Sequence, residues 1–262
     1  MLSVKLVQDN LITRCLGREI TYYPATDSTN DDLWSLFDRG TAVNGQVVVT
    51  DEQRRGKGRQ GRSWFSAPGL GLTFSMLLRP QLPAERLGLV SLAAGVAVVD
   101  ALVKQEVAAQ LKWPNDVLVN QLKLGGILAE SRVAGEEITV VLGIGLNVNE
   151  QLGDFPEELR SHVISVQMAS GHPVQREILL AEILARLEAL QDGGMNDIVL
   201  LWMDRCAHLE QAVTYHGPDG LVAGYFRGVN DAGLGLIEVG GETLMVAAGD
   251  LDYESDQTST YR

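Results

Sequence analysis

A dense group of basic residues interrupted by glycines is the first feature of this sequence that could do chemistry. Five of the 21 Lys and Arg residues fall within the nine positions 54–62, and the overlapping residues 56–64 read Gly-Lys-Gly-Arg-Gln-Gly-Arg-Ser-Trp. Glycines let backbone N–H groups approach an anion, and cations between them can neutralise a phosphate or a carboxylate. The segment lacks the ending of a Walker A loop and the spacing of a Rossmann fingerprint. It is either a local anion site or a solvated, mobile loop.

Residues 112–116, Lys-Trp-Pro-Asn-Asp, are a second candidate segment. Pro114 has a fixed φ and biases Trp113 towards an extended conformation, which places Asn115 and Asp116 at a stiff turn between strands. A carboxylate beside an amide could there hold Mg²⁺ or hydrogen-bond a nucleotide. The alternative is an ordinary Asn-Asp turn.

Residues 123–128, Lys-Leu-Gly-Gly-Ile-Leu, place a lysine before two glycines and an apolar strand. A lysine beside flexible backbone can act as a point charge on an anionic transition state. If residues 117–119 and 126–131 form a hairpin, Lys112 and Lys123 lie on neighbouring strands and converge on one anion. The alternative is that both lysines are merely solvated.

Residues 143–147, Gly-Ile-Gly-Leu-Asn, follow a predicted buried strand, and Asn147 could contact a ligand there. A Gly-rich strand end is equally often a bulge. The four histidines show no metal-ligand spacing, and a Gly-x-Ser-x-Gly motif is absent. The sequence therefore favours an anion site over a histidine-bound metal or a serine nucleophile.

Helices and strands must position these segments, and the apolar spacing predicts where they lie. The predicted helices span residues 27–39, 87–107, 176–190 and 196–206. The predicted strands span residues 46–50, 72–79, 117–119, 126–131 and 138–142, with another strand leading into Lys112 and a loop over 51–71. From 209 to 251 no helical period occurs, and turns at 217–220, 230–233 and 240–241 predict a small β-barrel.

The composition limits the class of protein. With 262 residues, 45% of them hydrophobic, the chain can form one large domain or a catalytic domain with a small appendage. A net charge of -13 argues against a general nucleic-acid binder. Two cysteines make no disulfide framework, and neither a signal segment nor a run of 18 apolar residues is present. We expect a cytoplasmic protein without a membrane span.

Taken together and in this order, the four segments resemble the biotin–protein ligases, also called biotin–[acetyl-CoA-carboxylase] ligases. Residues 28–30, Ser-Thr-Asn, are similar to that family's Asp-Ser-Thr-Asn segment, and residues 53–65 to its Gly-Arg-Gly-Arg-x-Gly-Arg-x-Trp loop. Residues 112–128 are similar to its Lys-Trp-Pro-Asn-Asp and Lys-Leu-x-Gly-Ile-Leu segments. The resemblance covers residues 20–252, and the combination is more specific than any one motif.

This resemblance implies an α+β fold. Residues 1–208 would form a class II aminoacyl-tRNA synthetase-like catalytic domain, a mixed sheet with helices that binds biotin and ATP. Residues 209–254 would form a small C-terminal SH3-like β-barrel, in agreement with the change of pattern at 209, and residues 255–262 a polar tail. A homodimer is possible.

The resemblance also implies roles for individual residues. Three would be catalytic: Arg59, Lys112 and Lys123. Those at biotin would be Ser28, Thr29, Asn30, Gln53, Lys57, Gly58, Arg59, Lys123 and Gly126. Those at ATP or AMP would be Arg62, Trp64, Asn115, Asp116 and Asn147, with Asp116 a weak candidate for a metal ligand.

The implied chemistry joins two anions. The biotin carboxylate attacks the α-phosphate of ATP, with Mg²⁺ on the phosphates, and biotinyl-5'-AMP passes biotin to a lysine of a biotin carboxyl carrier domain, that of acetyl-CoA carboxylase or a similar one. The alternatives are a lipoate–protein ligase, which shares the fold, and a non-catalytic biotin or nucleotide sensor. A nucleic-acid-binding protein is a third alternative, motivated only by the basic loop.

Three departures from the family pattern stand out. Lys57 replaces the usual Arg and lacks its bidentate fork. Residues 249–254 contain no Arg, although the family's C-terminal domain often ends with one near the nucleotide. Ser28 follows only 27 residues, too few for a winged helix, so we expect the form of the ligase without an N-terminal DNA-binding domain and without a nucleic-acid partner.

Overall fold

The computed structural model describes residues 1–135, 137–218 and 220–253. The predicted polar tail and the last residue of the predicted barrel lie outside them. The helices of the described residues are α1 Val4–Asn10, α2 Thr29–Asp38, α3 Gly88–Val103, α4 Val166–Ser170, α5 Arg176–Asp192 and α6 Ile198–Asp204. The first nine strands are β1 Ile20–Tyr23, β2 Val47–Thr50, β3 Gly56–Lys57, β4 Ser63–Trp64, β5 Leu72–Leu78, β6 Gln110–Lys112, β7 Asp116–Val119, β8 Leu122–Ala134 and β9 Glu137–Leu146. The remaining strands are β10 Ala212–Gly217, β11 Gly220–Val229, β12 Gly235–Val239, β13 Glu242–Val246 and β14 Asp250–Tyr253.

Seven of the described strands form one mixed sheet in the order β1-β2-β5-β9-β8-β7-β6. β1 and β2 pair in parallel, and the other five neighbour pairs of this sheet are antiparallel. The register aligns Ser75 with Gly143 and Gly143 with Leu128, so these three side-chain positions share one face. The predicted mixed α+β fold is confirmed.

One face of this sheet is covered by α3, and α5 packs against α3. Almost every residue of α3 is apolar and buried, which is why the helix shows little amphipathic pattern. The segment Ala84–Val103 is long and apolar enough to cross a membrane by length and composition, but 67% of its apolar window is buried inside the protein. It is the central helix of the hydrophobic core.

The opposite face is only partly covered, by α2. Leu33 and Trp34 of this helix pack on Val48, Leu77 and Val141 and form a separate, small apolar cluster. Asp31 and Asp32 lie in the first turn, where a negative charge interacts favourably with the helix dipole. Because α2 has only ten residues, the surface of the sheet beyond its N-terminus stays uncovered.

The C-terminal strands form a separate antiparallel sheet in the order β13-β12-β11-β10-β14. Aromatic rings join it to the rest of the molecule: the ring of Phe226 lies 6.5 Å from that of Trp113 and 6.3 Å from that of Trp202. The ring of His208 lies 4.4 Å from that of Phe226. The short strands predicted for this region are confirmed by β10–β14.

The predicted helices and strands recur with shifted ends, but two expectations were wrong. The segment 51–71 is not only a loop, because it contains the β3–β4 hairpin, in which the Gly58 N–H donates to the Arg62 carbonyl at 2.7 Å. Lys112 and Lys123 do not lie on neighbouring strands. Residues 113–115 form a tight turn, so β6 pairs with β7, and β7 separates the two lysines. Helices α1 and α4 and strand β1 were not predicted.

Candidate functional site

An open cleft lies between the N-terminus of α2, the β3–β4 hairpin, the glycines of β9 and the start of β14. The predicted site residues that line it are Ser28, Thr29, Asn30, Gln53, Lys57, Gly58, Arg59, Arg62, Trp64, Asn115, Asp116, Lys123 and Gly126. The fold thus brings together groups that are up to 98 positions apart in the sequence, from Ser28 to Gly126.

Glycines on β9 form the floor. A Cβ at Gly145 would lie 2.5 Å from the Trp64 ring, and one at Gly143 would overlap the Asn30 amide oxygen. Side chains above the sheet therefore approach the backbone at both positions. At this Gly-rich strand end the sequence left a ligand contact by Asn147 and a bulge as equal alternatives, and the role of Gly143 went unnoticed.

Uncharged polar groups gather at the α2 end of the cleft. The Gln53 amide oxygen accepts from the Thr29 backbone N–H at 2.8 Å. The Ser75 hydroxyl donates to the Asn30 amide oxygen at 2.6 Å and lies 2.6 Å from the Thr29 hydroxyl. This end can read the donors and acceptors of a neutral polar group. Ser75 was missed because a serine inside an apolar strand carries no sequence signal until its register is known.

The basic hairpin is tied to α2 by ion pairs. The Lys57 ammonium lies 2.6 Å from the Asp31 carboxylate, and Arg55 pairs with Asp27. The Lys57 pair is about half exposed and the Arg55 pair is more exposed still, so each contributes little to the free energy of unfolding. They hold the hairpin over the first turn of the helix, where Lys57, in place of the family's arginine, makes a single contact.

Cations and carboxylates face each other at the opposite end. The Lys123 ammonium lies 2.6 Å from Asp116, and Asp250 lies 3.0 Å from Arg62. Burial lowers the pKa of Arg59, although the carboxylates of Asp116 and Asp250 oppose that shift. This end can bind a strongly anionic group when that group replaces Asp116 and Asp250 as the partner of the cations.

Asp250 was not identified in the sequence. It begins β14 and enters the cleft from the C-terminal sheet, at the place where an arginine was sought. It also lies 3.9 Å from the Lys112 ammonium. The C-terminal sheet therefore contributes one carboxylate to the cleft, and this carboxylate pairs with Arg62 and Lys112.

Two predicted site residues do not line the cleft. Lys112 lies behind Asp250 and is only 18% exposed. Asn147 is buried, and its amide donates to the carbonyls of Lys123, at 3.3 Å, and Ile164, at 3.1 Å. Its hydrogen bonds hold the backbone behind Lys123, so the predicted contact with a nucleotide is not seen in this geometry.

The donor set of the cleft suits magnesium only in the company of phosphate. Within residues 1–135, 137–218 and 220–253, no group of three or more His, Cys, Asp or Glu side chains could hold a metal ion. Asp116, the predicted metal ligand, is bound by Lys123. Because Mg²⁺ is commonly held by one or two carboxylates plus substrate phosphates, Asp116 can contribute one ligand.

Comparison with known proteins gives a consistent picture. Residues 22–147 match the biotin/lipoate A/B protein ligase family. The chain is 34% identical to the biotin–[acetyl-CoA-carboxylase] ligase of Mycobacterium tuberculosis over 95% of either chain. It is 31% identical to the bifunctional ligase/repressor BirA of Bacillus subtilis over 96% of this chain and 79% of that protein.

A solved structure extends this likeness to three dimensions. The biotin protein ligase from Aquifex aeolicus, in complex with biotin and ATP, matches 90% of this chain and 99% of its own, with a TM-score of 0.76 and 27% identity. The cleft described above thus lies in a fold that is known to hold both molecules in another protein.

Proposed function

The chain belongs to the biotin–protein ligases of the biotin/lipoate A/B protein ligase family and is a ligase enzyme, and from that premise we propose that it joins biotin to AMP and then transfers biotin to a lysine of a carrier domain. The observation that carries this proposal is the polarity of the cleft. Neutral hydrogen-bonding groups gather at one end and cations at the other. Biotin has the same polarity, with a neutral ureido ring at one end and a carboxylate at the other.

In the first half-reaction, the biotin carboxylate attacks the α-phosphate of ATP and pyrophosphate leaves. Ser28, Thr29, Asn30 and Gln53 hold the ureido ring, and Gly126 lets the backbone approach biotin. Lys57, Gly58, Arg59 and Lys123 lie along the carboxylate and the reacting phosphate, where cations offset the repulsion between two anions. Lys112 acts from behind Asp250.

The nucleotide is held by Arg62, Trp64, Asn115 and Asp116, and the indole of Trp64 offers a flat face above Gly145. Asn147 contributes indirectly, by holding the backbone of Lys123. Mg²⁺, held by Asp116 and the phosphates, supplies Lewis-acid charge when bound. The hairpin that carries Arg59 shields the mixed anhydride from water.

In the second half-reaction, the uncharged amine of an acceptor lysine attacks the acyl carbon, and AMP leaves. The acceptor is a biotin carboxyl carrier domain, as the name of the Mycobacterium tuberculosis relative supports. The proposal includes a cytoplasmic location, a homodimer as the possible assembly, and the finer fold: a class II synthetase-like domain over 1–208 and an SH3-like barrel from 209.

The test is an ATP–pyrophosphate exchange assay with biotin and, separately, with lipoate, followed by transfer to a carrier domain. We expect exchange that depends on biotin and magnesium, and labelling of one carrier lysine. Exchange with lipoate alone would identify a lipoate ligase. Formation of biotinyl-AMP without transfer would identify a sensor, and either result contradicts the proposal.

A further inference from the structure

Strand β8 holds helix α2 through one stripe of side chains. Asn30, Trp34 and Asp38 are spaced four residues apart and lie on the same face of the helix. The Glu130 carboxylate accepts from the Asn30 amide at 2.8 Å and from the Trp34 indole N–H at 3.2 Å. Arg132 lies 4.1 Å from the Trp34 ring centroid and pairs with Asp38 at 2.5 Å. Two alternate residues of β8 thus contact the whole length of α2.

The contact at Glu130 fixes the direction of a hydrogen-bond chain. A carboxylate only accepts hydrogen bonds, so the Asn30 NH₂ group points towards β8 and its oxygen towards Ser75. The Ser75 hydroxyl donates to that oxygen. Having donated its one proton, Ser75 accepts from Thr29, whose hydroxyl lies 2.6 Å away.

This direction determines what the cleft offers to a ligand. The Thr29 hydroxyl has one proton, which is shared between Ser75 at 2.6 Å and the Gln53 amide oxygen at 3.1 Å. With that proton engaged, the Thr29 oxygen keeps a free lone pair, and Asn30 keeps a second N–H. One acceptor and one donor stand side by side on two adjacent residues. A cyclic urea, which has an N–H next to a carbonyl, complements that pair.

We propose that Glu130 is a positioning residue that sets the hydrogen-bond polarity by which Thr29 and Asn30 recognise the ureido ring. The inference rests on the proposed function, because biotin supplies the urea. Glu130 does not line the cleft and acts through Asn30. Its removal frees the Asn30 amide to rotate and leaves the Trp34 N–H without its acceptor.

The test is titration calorimetry of biotin and of ATP with the full chain and its variants. Glu130→Ala should weaken biotin binding about tenfold, the effect of one charge-assisted hydrogen bond, and change the ATP affinity by less than about twofold. Glu130→Gln should restore biotin binding, because its amide oxygen can accept from both donors. Ser75→Ala, which breaks the same chain at its other side, should weaken biotin binding as well.

Arg132→Ala is the matched control, because it removes the contact at the far end of the same helix. It should keep the biotin affinity of the wild type even if the melting temperature falls. Unchanged biotin binding in Glu130→Ala, an equal loss of ATP binding, or failure of Glu130→Gln to restore binding overturns the inference alone. A wild-type chain that does not bind biotin overturns the proposed function, and the inference with it.

Discussion

At the scale of the residue, glycines shape the cleft as much as polar side chains do. Gly143 stands opposite Ser75 in the sheet, directly beneath the amide of Asn30. Even a methyl group there would occupy the volume of the amide oxygen. Asn30 cannot simply move aside, because Ser75 and Glu130 hold its two ends.

We therefore expect Gly143→Ala to displace Asn30 and to raise the KM for biotin roughly tenfold, since one hydrogen bond of the recognition chain is lost. The KM for ATP should stay unchanged, because the nucleotide end lies elsewhere in the cleft. Steady-state kinetics measures both constants. Gly153→Ala is the control, since a Cβ at Gly153 meets nothing within 4 Å. An unaltered biotin KM would show that Asn30 has room to move.

The sequence identifies residues of unusual type and spacing better than the residues that position them. The glycine-rich basic segment and the Lys-Trp-Pro-Asn-Asp motif stand out by type and spacing, and most of their members line one cleft. Ser75, Glu130 and Asp250 are ordinary residues in strands. Their roles depend on which strands pair and in which register, and that information is not local in the chain.

At the scale of the element, one histidine joins the end of α6 to the C-terminal sheet. The side chain of His208 is fully buried, with its ring 4.4 Å from that of Phe226 and 5.2 Å from that of Tyr253. Among the described residues, its Nε2 atom has no hydrogen-bond partner. Burial, aided by the charge of Lys112, lowers the pKa of His208 to about 3.

A buried neutral histidine makes the folded chain sensitive to acid. The unfolded state binds a proton at a pKa of 6.5, whereas the folded state does so only near 3, so stability falls as the pH drops below 6.5. For one proton, the free energy of unfolding falls by about 1.4 kcal/mol per pH unit. We expect His208→Phe to lose less stability than the wild type between about pH 6 and pH 4.

Urea unfolding at a series of pH values measures this difference. Carboxylates also titrate in that range, but both proteins share them. The difference in the free energy of unfolding between the wild type and the variant therefore reports on His208. The exposed His172 provides the control, and His172→Phe should follow the wild-type curve. Parallel curves for His208→Phe and the wild type would contradict the assigned protonation of His208.

Long elements were predictable, and very short ones were not. Helices α3 and α5 extend over 16 and 17 residues, and a stretch of that length without a proline is itself a helix signal. The hairpin strands β3 and β4 are two residues each, and no pattern can appear in so few positions. Their pairing depends on contacts such as that between the Gly58 N–H and the Arg62 carbonyl.

At the scale of the whole molecule, charge is unevenly distributed. The net charge is -13, yet Arg59, Arg62 and Lys123 all lie at one cleft. An acidic surface repels long polyanions, while a local basic cleft still attracts a small one. The order of the seven-stranded sheet, which concentrates these cations, could not be deduced from composition.

This distribution predicts no binding to duplex DNA. In a gel-shift experiment at about 50 mM salt, where nonspecific binding is strong, micromolar protein should leave the DNA unshifted. A basic protein of similar size serves as the positive control. A band shift that weakens steeply with added salt would contradict the prediction and would show that the hairpin cations bind a backbone phosphate.

The separation of the cleft into two ends has a consequence for retargeting the ligase. In the proposed binding mode, the ureido ring contacts α2, β5 and Gly143, whereas the phosphates contact the hairpin and β7–β8. Substitutions at Gly143 and Ser75 can therefore change which acid is accepted while the activation machinery stays intact. Under the proposed function, acid selection and adenylation can be engineered independently, with Glu130 left unchanged while the residues around the acid are replaced.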